Sequence, residues 1–324
     1  MPYPNPFLFQ EVTEFESLNS PRTLLLLSLQ DLSDCQAIYY TAAMSKVLIV
    51  GEFGEIAFDL RAHLSLSHEV FCTTRLDSTS RLYLNLADKI FLPNLNIDDI
   101  DFAIFAAGIT GELKCAESPE NSELINVKNT IKTLNMLSSL AKRVYFISSS
   151  LCFEEPYLKY YDKSVYIQQK LKVENYIVNN HRNVFIMRPT KVIGSNNSRL
   201  FEWIGKAKTG SAIQVASNLK FAPVSSFMLA NTIERHFSHS NKLFLHISSD
   251  CLETYSNVAR MLFKKLEISA KLEEVLIENR YPQNSDGIIE ESKSDLSSID
   301  LIPESLDQVL DSFLSLFLGA SNGP

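Results

Sequence analysis

The chain has 324 residues, 45% of them hydrophobic, enough for one large α/β domain with an appended lobe or for two domains around a sizeable core. Its 30 basic and 38 acidic residues leave a net charge of −8 without a Lys/Arg cluster, which disfavours a nucleic-acid partner. Five widely spaced cysteines, Cys35, Cys72, Cys115, Cys152 and Cys251, with no Cys-x-x-Cys or His-x-x-x-His spacing, fit reduced thiols in a cytoplasmic protein better than a disulfide framework or a metal site.

Residues 1–43 carry Pro2, Pro4, Pro6 and Pro21 without clear periodicity and are expected to form a peripheral extension. Within them the apolar run from Thr23 to Leu29 is too short to cross a bilayer and follows Glu11, Glu14 and Glu16, so neither a signal peptide nor an anchor is expected. From Met44 aliphatic runs alternate with amphipathic stretches. Strands are expected over 46–50, 69–74, 82–86, 101–107, 144–148 and 183–187. Helices are expected over 56–66, over 118–140, opened by Ser118-Pro119, and over 164–178. This alternation predicts an α/β fold over 44–194, a doubly wound parallel sheet of the Rossmann type that binds dinucleotides.

Residues 195–324 predict a smaller C-terminal α+β substrate lobe, with some elements returning to the core. Its helices are expected near 199–208, 227–236, 254–266 and 305–317, its strands near 244–247 and 274–277, and 284–298 reads as a solvated acidic loop.

The chemistry gathers at the predicted strand ends. Gly51-x-x-Gly54-x-x-Ala57 joins the first strand to a helix, placing backbone N–H groups and a helix N-terminus where a pyrophosphate could sit. A glycine-punctuated turn of any α/β protein reads the same way, and Glu52 and Glu55 add negative charge to a loop that should receive phosphates. Thr74-Arg75 follows the second strand. Arg75 suits a 2′-phosphate, favouring NADP over NAD, although a surface arginine is the alternative.

Ser148, Ser149 and Ser150 end the fifth strand, and Tyr166 and Lys170 lie one turn apart on the next helix. A lysine beside a phenol lowers its pKa from roughly 10, as an acid/base working near neutrality requires. Chance alone supplies roughly 0.7 Tyr-x-x-x-Lys pairs in a chain with 12 tyrosines, so the pair gains weight only from its context.

With these features in place the chain resembles the extended short-chain dehydrogenase/reductase family, the branch of nucleotide-sugar epimerases, dehydratases and 4-ketoreductases, from about Lys46 to Leu318. The resemblance rests on Gly51-x-x-Gly54-x-x-Ala57, Asn85-Leu-Ala-Asp88, Phe105-Ala-Ala-Gly108, Asn126-Val-x-x-Thr130, Tyr166-x-x-x-Lys170-Leu-x-x-Glu174, Arg188-Pro-Thr-x-Val-x-Gly194 and Ile302-Pro-x-Ser-Leu306. It implies catalytic roles for Ser149, Tyr166 and Lys170. It implies cofactor contacts at Gly51, Phe53, Gly54, Glu55 and Ile56, at Thr74, Arg75, Asn85 and Leu86, and at Ala106, Ala107, Gly108, Tyr166, Lys170 and Pro189. Substrate contacts would fall at Ser150, Phe153 and Thr190.

The chain departs from the family pattern in the short connection of 17 positions from Ser149 to Tyr166, in Glu154 where a glycine is usual, and in the segment from Ala222 to Ala230, which lacks two usual aspartates.

The expected function is an NADP-dependent oxidoreductase or epimerase acting on a sugar-like small molecule, a nucleotide sugar among the options. Reduction of a 4-keto sugar comes first, and an epimerase that recycles NAD(H) stands close behind. The alternatives are a non-catalytic NAD(P)-binding regulatory or scaffold protein and a structural relic. The resemblance also suggests a homodimer through the helices of 118–140 and 164–178. His181, His236, His239 and His246 read as surface or packing residues, Cys152 as a buried thiol, and Phe201 and Trp203 as lobe packing.

Overall fold

Val47, Leu48, Ile49 and Val50 are each 0% exposed, so the first aliphatic run is covered on both faces, as an internal parallel strand requires. A computed structural model describes residues 44–91, 93–152, 164–277 and 286–321; the extension of 1–43, Phe153 and Glu154 lie outside the described residues. Six strands form the main sheet: β1 (Lys46–Val50), β2 (Glu69–Cys72), β3 (Ile100–Phe105), β4 (Ala141–Ile147), β5 (Val184–Pro189) and β6 (Phe244–Ile247). They are all parallel, in the spatial order β2-β1-β3-β4-β5-β6. The chain steps from β1 to one side and then returns to the other, so the crevice of this Rossmann-like α/β fold opens between the carboxyl ends of β1 and β3.

One face of the sheet packs Val47, Ile49, Phe102, Tyr145 and Met187 against Leu60 of the Glu55–Leu64 helix, Leu229 and Ile233 of the Ser226–His239 helix, and Leu296 of the Asp286–Ser297 helix. The other packs Leu48, Val50, Phe105 and Phe146 against Leu134 and Leu137 of the Thr130–Leu140 helix and Val173 and Ile177 of the Val165–Asn180 helix. A third cluster joins Trp203 to Val258 and Phe313 from the helices Ser198–Lys208, Tyr255–Lys265 and Leu306–Ser321. Beside it Ile213–Ala216 pairs in parallel with Leu272–Val275. No described helix is long and apolar enough to cross a membrane.

Three elements differ from expectation. Of 82–86 only Leu82–Tyr83 is strand, paired with Asn94–Leu95 outside the main sheet and touching it through a bridge from Tyr83 to Thr74. The Asn85 side chain accepts from the Ala87 N–H at 3.1 Å, a local turn that ends the strand. The sixth place in the sheet goes instead to Phe244–Ile247.

The stretch 118–140 divides into Pro119–Glu123, a π-helical turn at Leu124–Asn129, and Thr130–Leu140. The wider turn is held by Thr130 Oγ1 donating to the Ile125 carbonyl at 2.8 Å.

The acidic stretch expected as a loop is the helix Asp286–Ser297, packed on β6. Its buried side includes Ser292 and Asp295 beside Ile289 and Leu296, and the polar members accept from the backbone N–H groups of Ser248 and His246 at 2.8 and 2.7 Å. A buried face that is half polar hides the apolar period by which such helices are recognised.

Candidate active site

The turn after β1 begins with Gly51 at φ +111°, a conformation that disfavours any side chain, and a Cβ there would lie 3.0 Å from Ala107 Cβ. The two strand ends therefore meet through bare backbone. Gly54 caps the Glu55–Leu64 helix without a side-chain hydrogen bond, which leaves N–H groups of the first turn open to an anion. Gly51 N donates to Thr73 Oγ1 at 3.2 Å, tying the loop to the end of β2.

A cleft of about 250 Å³ lies at this switch point. It is lined by Gly51, Phe53 and Gly54, by Arg75, Asn85 and Leu86, and by Ala106, Ala107 and Gly108. These nine of the expected cofactor residues are thus brought together. The surfaces fit a dinucleotide: close backbone approach, an open helix N-terminus and an arginine after the second strand.

The two acidic residues of the loop part company. Glu52 lines the cleft, with Oε1 3.5 Å from Arg61 Nη1. Glu55 does not line it. Burial pushes the Glu55 carboxyl up against the pull of Lys191 and a hydrogen bond from Asn197, which places it against the segment that follows β5, near Gly194. Ile56 and Thr74 also lie off the cleft lining; Ile56 packs into the core beneath, and Thr74 Oγ1 accepts from Leu76 N at 3.3 Å. Asp88 accepts from Tyr83 at 2.9 Å and from Asn85 at 2.7 Å, so it holds the Asn85 wall in shape.

The serine run resolves into three environments. Ser148 Oγ donates to Glu174 Oε1 at 2.5 Å, and Ser150 is buried in a short 3-10 turn, Ser150–Cys152. Ser149 Oγ accepts from Leu151 N at 3.2 Å and lies close enough to the Tyr166 phenol to pull its pKa down. Burial pushes the Tyr166 phenol well above its ordinary range, more than the Ser149 contact pulls it down.

Lys170 departs from expectation. Its ammonium donates to the Ile147 carbonyl at 2.8 Å and lies 4.7 Å from the Phe146 ring centre and 5.9 Å from that of Tyr166. Burial lowers its pKa to about 8, against the pull of Cys152, Glu174 and Cys115. In this arrangement burial, and not the lysine, sets the state of Tyr166. Pro189 ends β5 in register with Ile247, and Thr190 Oγ1 donates to the Ile247 carbonyl at 3.3 Å, so both are built into the β5–β6 seam.

Residues that the sequence reading gave no part in the site organise this centre. Glu112, on the Glu112–Glu117 helix, accepts from Val165 N at 3.0 Å and from the Ser164 hydroxyl, capping the helix of Tyr166 and favouring its positive end. Asn126, in the π turn, accepts from Ile109 N at 2.8 Å and donates to Gln169 Oε1 at 2.8 Å. It thereby couples the cleft wall at Gly108, where a Cβ would stand 3.0 Å from Asn126 Oδ1, to the neighbour of Lys170.

Beneath Ser148, Glu174 is held by Arg188, whose Nε lies 3.1 Å from Oε1, and Arg188 leads on to His246 at 3.4 Å and Asp295. His246, Glu291 and Asp295 place ligand atoms within 4.8 Å of one another, but Asp295 already binds His246 and the Lys242 ammonium. Motif spacing marks Asn126, Glu174 and Arg188 as positions but does not announce these pairings, because each partner comes from another segment.

A model of the family described as NAD dependent epimerase/dehydratase matches residues 47–222. No curated protein matches the chain by sequence. Among solved structures, the chain is similar to a dTDP-4-dehydrorhamnose reductase of Clostridium acetobutylicum, with 20% identity, 84% of this chain and 99% of that one covered, and a TM-score of 0.66. A dTDP-4-dehydrorhamnose reductase of Bacillus anthracis in complex with NADP gives 16%, 85%, 99% and 0.67. A UDP-N-acetylglucosamine 4-epimerase of Methanobrevibacter ruminantium in complex with UDP-N-acetylmuramic acid gives 16%, 84%, 99% and 0.63.

Proposed function

We propose that this chain, which belongs to the NAD dependent epimerase/dehydratase family, is an NADP-dependent enzyme that reduces a keto group of a nucleotide-linked sugar, with NAD as the alternative cofactor. The observation that carries this reading is the placement of Ser149 beside the Tyr166 phenol at the carboxyl end of β4, with Lys170 one turn further on, while the glycine loop at the end of β1 lines a cleft of its own. Gly51, Gly54 and Arg75 would hold the cofactor through the cleft they line. When bound, the nicotinamide supplies the hydride.

Ser149 would hold the carbonyl oxygen, and Tyr166 would deliver the proton that neutralises the alkoxide. Burial keeps Tyr166 a phenol at neutral pH, the form in which it donates. Lys170, charged in the main below a pKa of about 8, would steady the phenolate left after the proton is given up, once its ammonium leaves Ile147. The neighbours named as dTDP-4-dehydrorhamnose reductases support a 4-keto sugar, and the one named as a 4-epimerase keeps epimerisation within the same chemistry.

The engagement of Lys170 by Ile147 favours a second reading, a non-catalytic protein that uses NAD(P) occupancy to control a partner. Thermal melting with NADPH and NADH, followed by a screen of 4-keto nucleotide sugars for NADPH consumption, separates the two. A raised melting temperature without consumption of any such sugar would favour the second.

The homodimer implied by the family pattern would use the outer sides of the Thr130–Leu140 and Val165–Asn180 helices, which carry the Asn135 to Tyr176 and Asn135 to His181 hydrogen bonds at 3.1 and 2.9 Å. Sedimentation velocity tests it.

A further inference from the structure

We propose that Glu52 sets the cofactor preference of this cleft, by holding Arg61 back from a 2′-phosphate and by offering its carboxylate to a 2′-hydroxyl; the assignment rests on the dinucleotide site proposed above. Glu52 N donates to the Thr73 carbonyl at 3.4 Å, and Gly51 N to Thr73 Oγ1 at 3.2 Å, so the glycine loop is stitched to the first residue after β2. Arg75 lies two residues beyond Thr73. Glu52, Thr73 and Arg75 all line the same cleft. The end of the second strand is where doubly wound folds read the adenosine ribose, an acid accepting from a 2′-hydroxyl and an arginine taking a 2′-phosphate. Here both kinds of group are present, the acid coming from the glycine loop.

The two arginines differ in their engagement. Arg61 Nη1 lies 3.5 Å from Glu52 Oε1, and both charges act on the half-buried thiol of Cys72, which packs against the core. Arg75 is exposed and makes no ion pair among the described residues. A 2′-phosphate brings nearly two negative charges and asks for paired guanidinium groups. Glu52 opposes it twice, by direct repulsion and by occupying Arg61. A 2′-hydroxyl meets neither obstacle and gains an acceptor. The cleft, lined by Arg75 and with Arg61 reaching it only through its contact with Glu52, should therefore accept both cofactors, with an NADP preference weaker than the two arginines would produce unopposed.

The test is direct titration of NADPH and NADH into wild type and variants by nucleotide fluorescence, each variant first shown to be folded by circular dichroism. Glu52→Gln should tighten NADPH about tenfold, the scale of one charge-assisted contact, and weaken NADH about threefold. Arg61→Met should change NADPH affinity less than threefold in wild type but remove most of the gain in the Glu52→Gln background, since only there is Arg61 released. Arg75→Ala should weaken NADPH and spare NADH.

Equal shifts of both cofactors in Glu52→Gln, or an equal effect of Arg61→Met in both backgrounds, would overturn the assignment while leaving the dinucleotide site intact. Failure of wild type to bind either cofactor would remove the site itself, and the assignment with it.

Discussion

Replacing Asp59 by alanine removes the anchor that joins the cofactor helix to the segment after β5. Asp59 is 4% exposed; its Oδ2 accepts from Ser195 N at 2.8 Å and from Ser226 Oγ at 2.8 Å, and its Oδ1 accepts from the Ser195 hydroxyl. Hydrogen bonds to a charged acceptor contribute about 1.5–3 kcal/mol each, but the two hydroxyls can rotate toward other acceptors once the carboxylate is gone. A loss of about 3–5 kcal/mol is expected, the range for removing one member of a buried charged network. At about 2 °C per kcal/mol for a domain of this size, the melting temperature should fall by roughly 6–10 °C.

Gly194 supplies the control. A Cβ at Gly194 would enter the space of Asp59 Oδ2, with no other atom nearer than Asp59 Cγ at 3.5 Å. Gly194→Ala should therefore cost about 1–3 kcal/mol in wild type and much less in the Asp59→Ala background, where the obstructing oxygen is absent. Urea unfolding of the four proteins, followed by circular dichroism, reads the cycle. Additive costs, or an Asp59→Ala protein that melts within about 1 °C of wild type, would refute the role assigned to this carboxylate.

Tyr166→Phe should lower kcat by about 10²–10⁴-fold while NADPH affinity stays within about threefold, as steady-state kinetics and titration will show. Glu174→Gln leaves Arg188, 8% exposed, without its buried carboxylate and should cost about 3–5 kcal/mol in urea unfolding; Glu174→Met combined with Arg188→Met should cost less, since no charge is then stranded. Burial opposes ionisation of Glu234, but hydrogen bonds from His63, His68 and Ser67 outweigh it and hold the carboxyl down to about 2. The folded pKa is below the unfolded one, so the stability Glu234 contributes is present above pH 4.5 and lost as pH falls toward 2. The advantage of wild type over Glu234→Gln, about 1–2 kcal/mol at pH 6, should vanish across that window in pH-dependent thermal melts, and an advantage independent of pH would contradict the pairing.

Much of the frame was legible because it is written in local periodicity. A run such as Val47 to Val50 can be satisfied only by burial on both faces, and an alternation of such runs with amphipathic helices admits few arrangements other than a parallel sheet. The glycine loop was legible for the same local reason, since a strand, a tight turn and a helix start follow one another within a dozen residues. The candidate cluster of Ser149, Tyr166 and Lys170 was legible as a pattern, and its one-turn helical spacing is a property of the helix itself.

What stayed hidden depends on who meets whom. Within the run Ser148, Ser149 and Ser150 only the family resemblance picked out Ser149 from sequence; the fold separates the three physically, by turning Ser148 to Glu174 and placing Ser149 beside Tyr166. The preference of Lys170 for the Ile147 carbonyl, across 23 residues, follows from burial of an ammonium that must find an acceptor. Asp59 found its partners 136 and 167 residues away. Asp295, which made its helix look like a solvated loop, is buried because His246 of β6 and Lys242 just before that strand come to it. Alone, the sequence determined which stretches must be strand or helix and which turn must be bare of side chains, because those demands are settled within a few residues. Tertiary structure alone decided the order of the strands, the partners of the buried charges and the side of the loop that Glu52 faces, because a polar group in the core is satisfied only by what folding brings beside it.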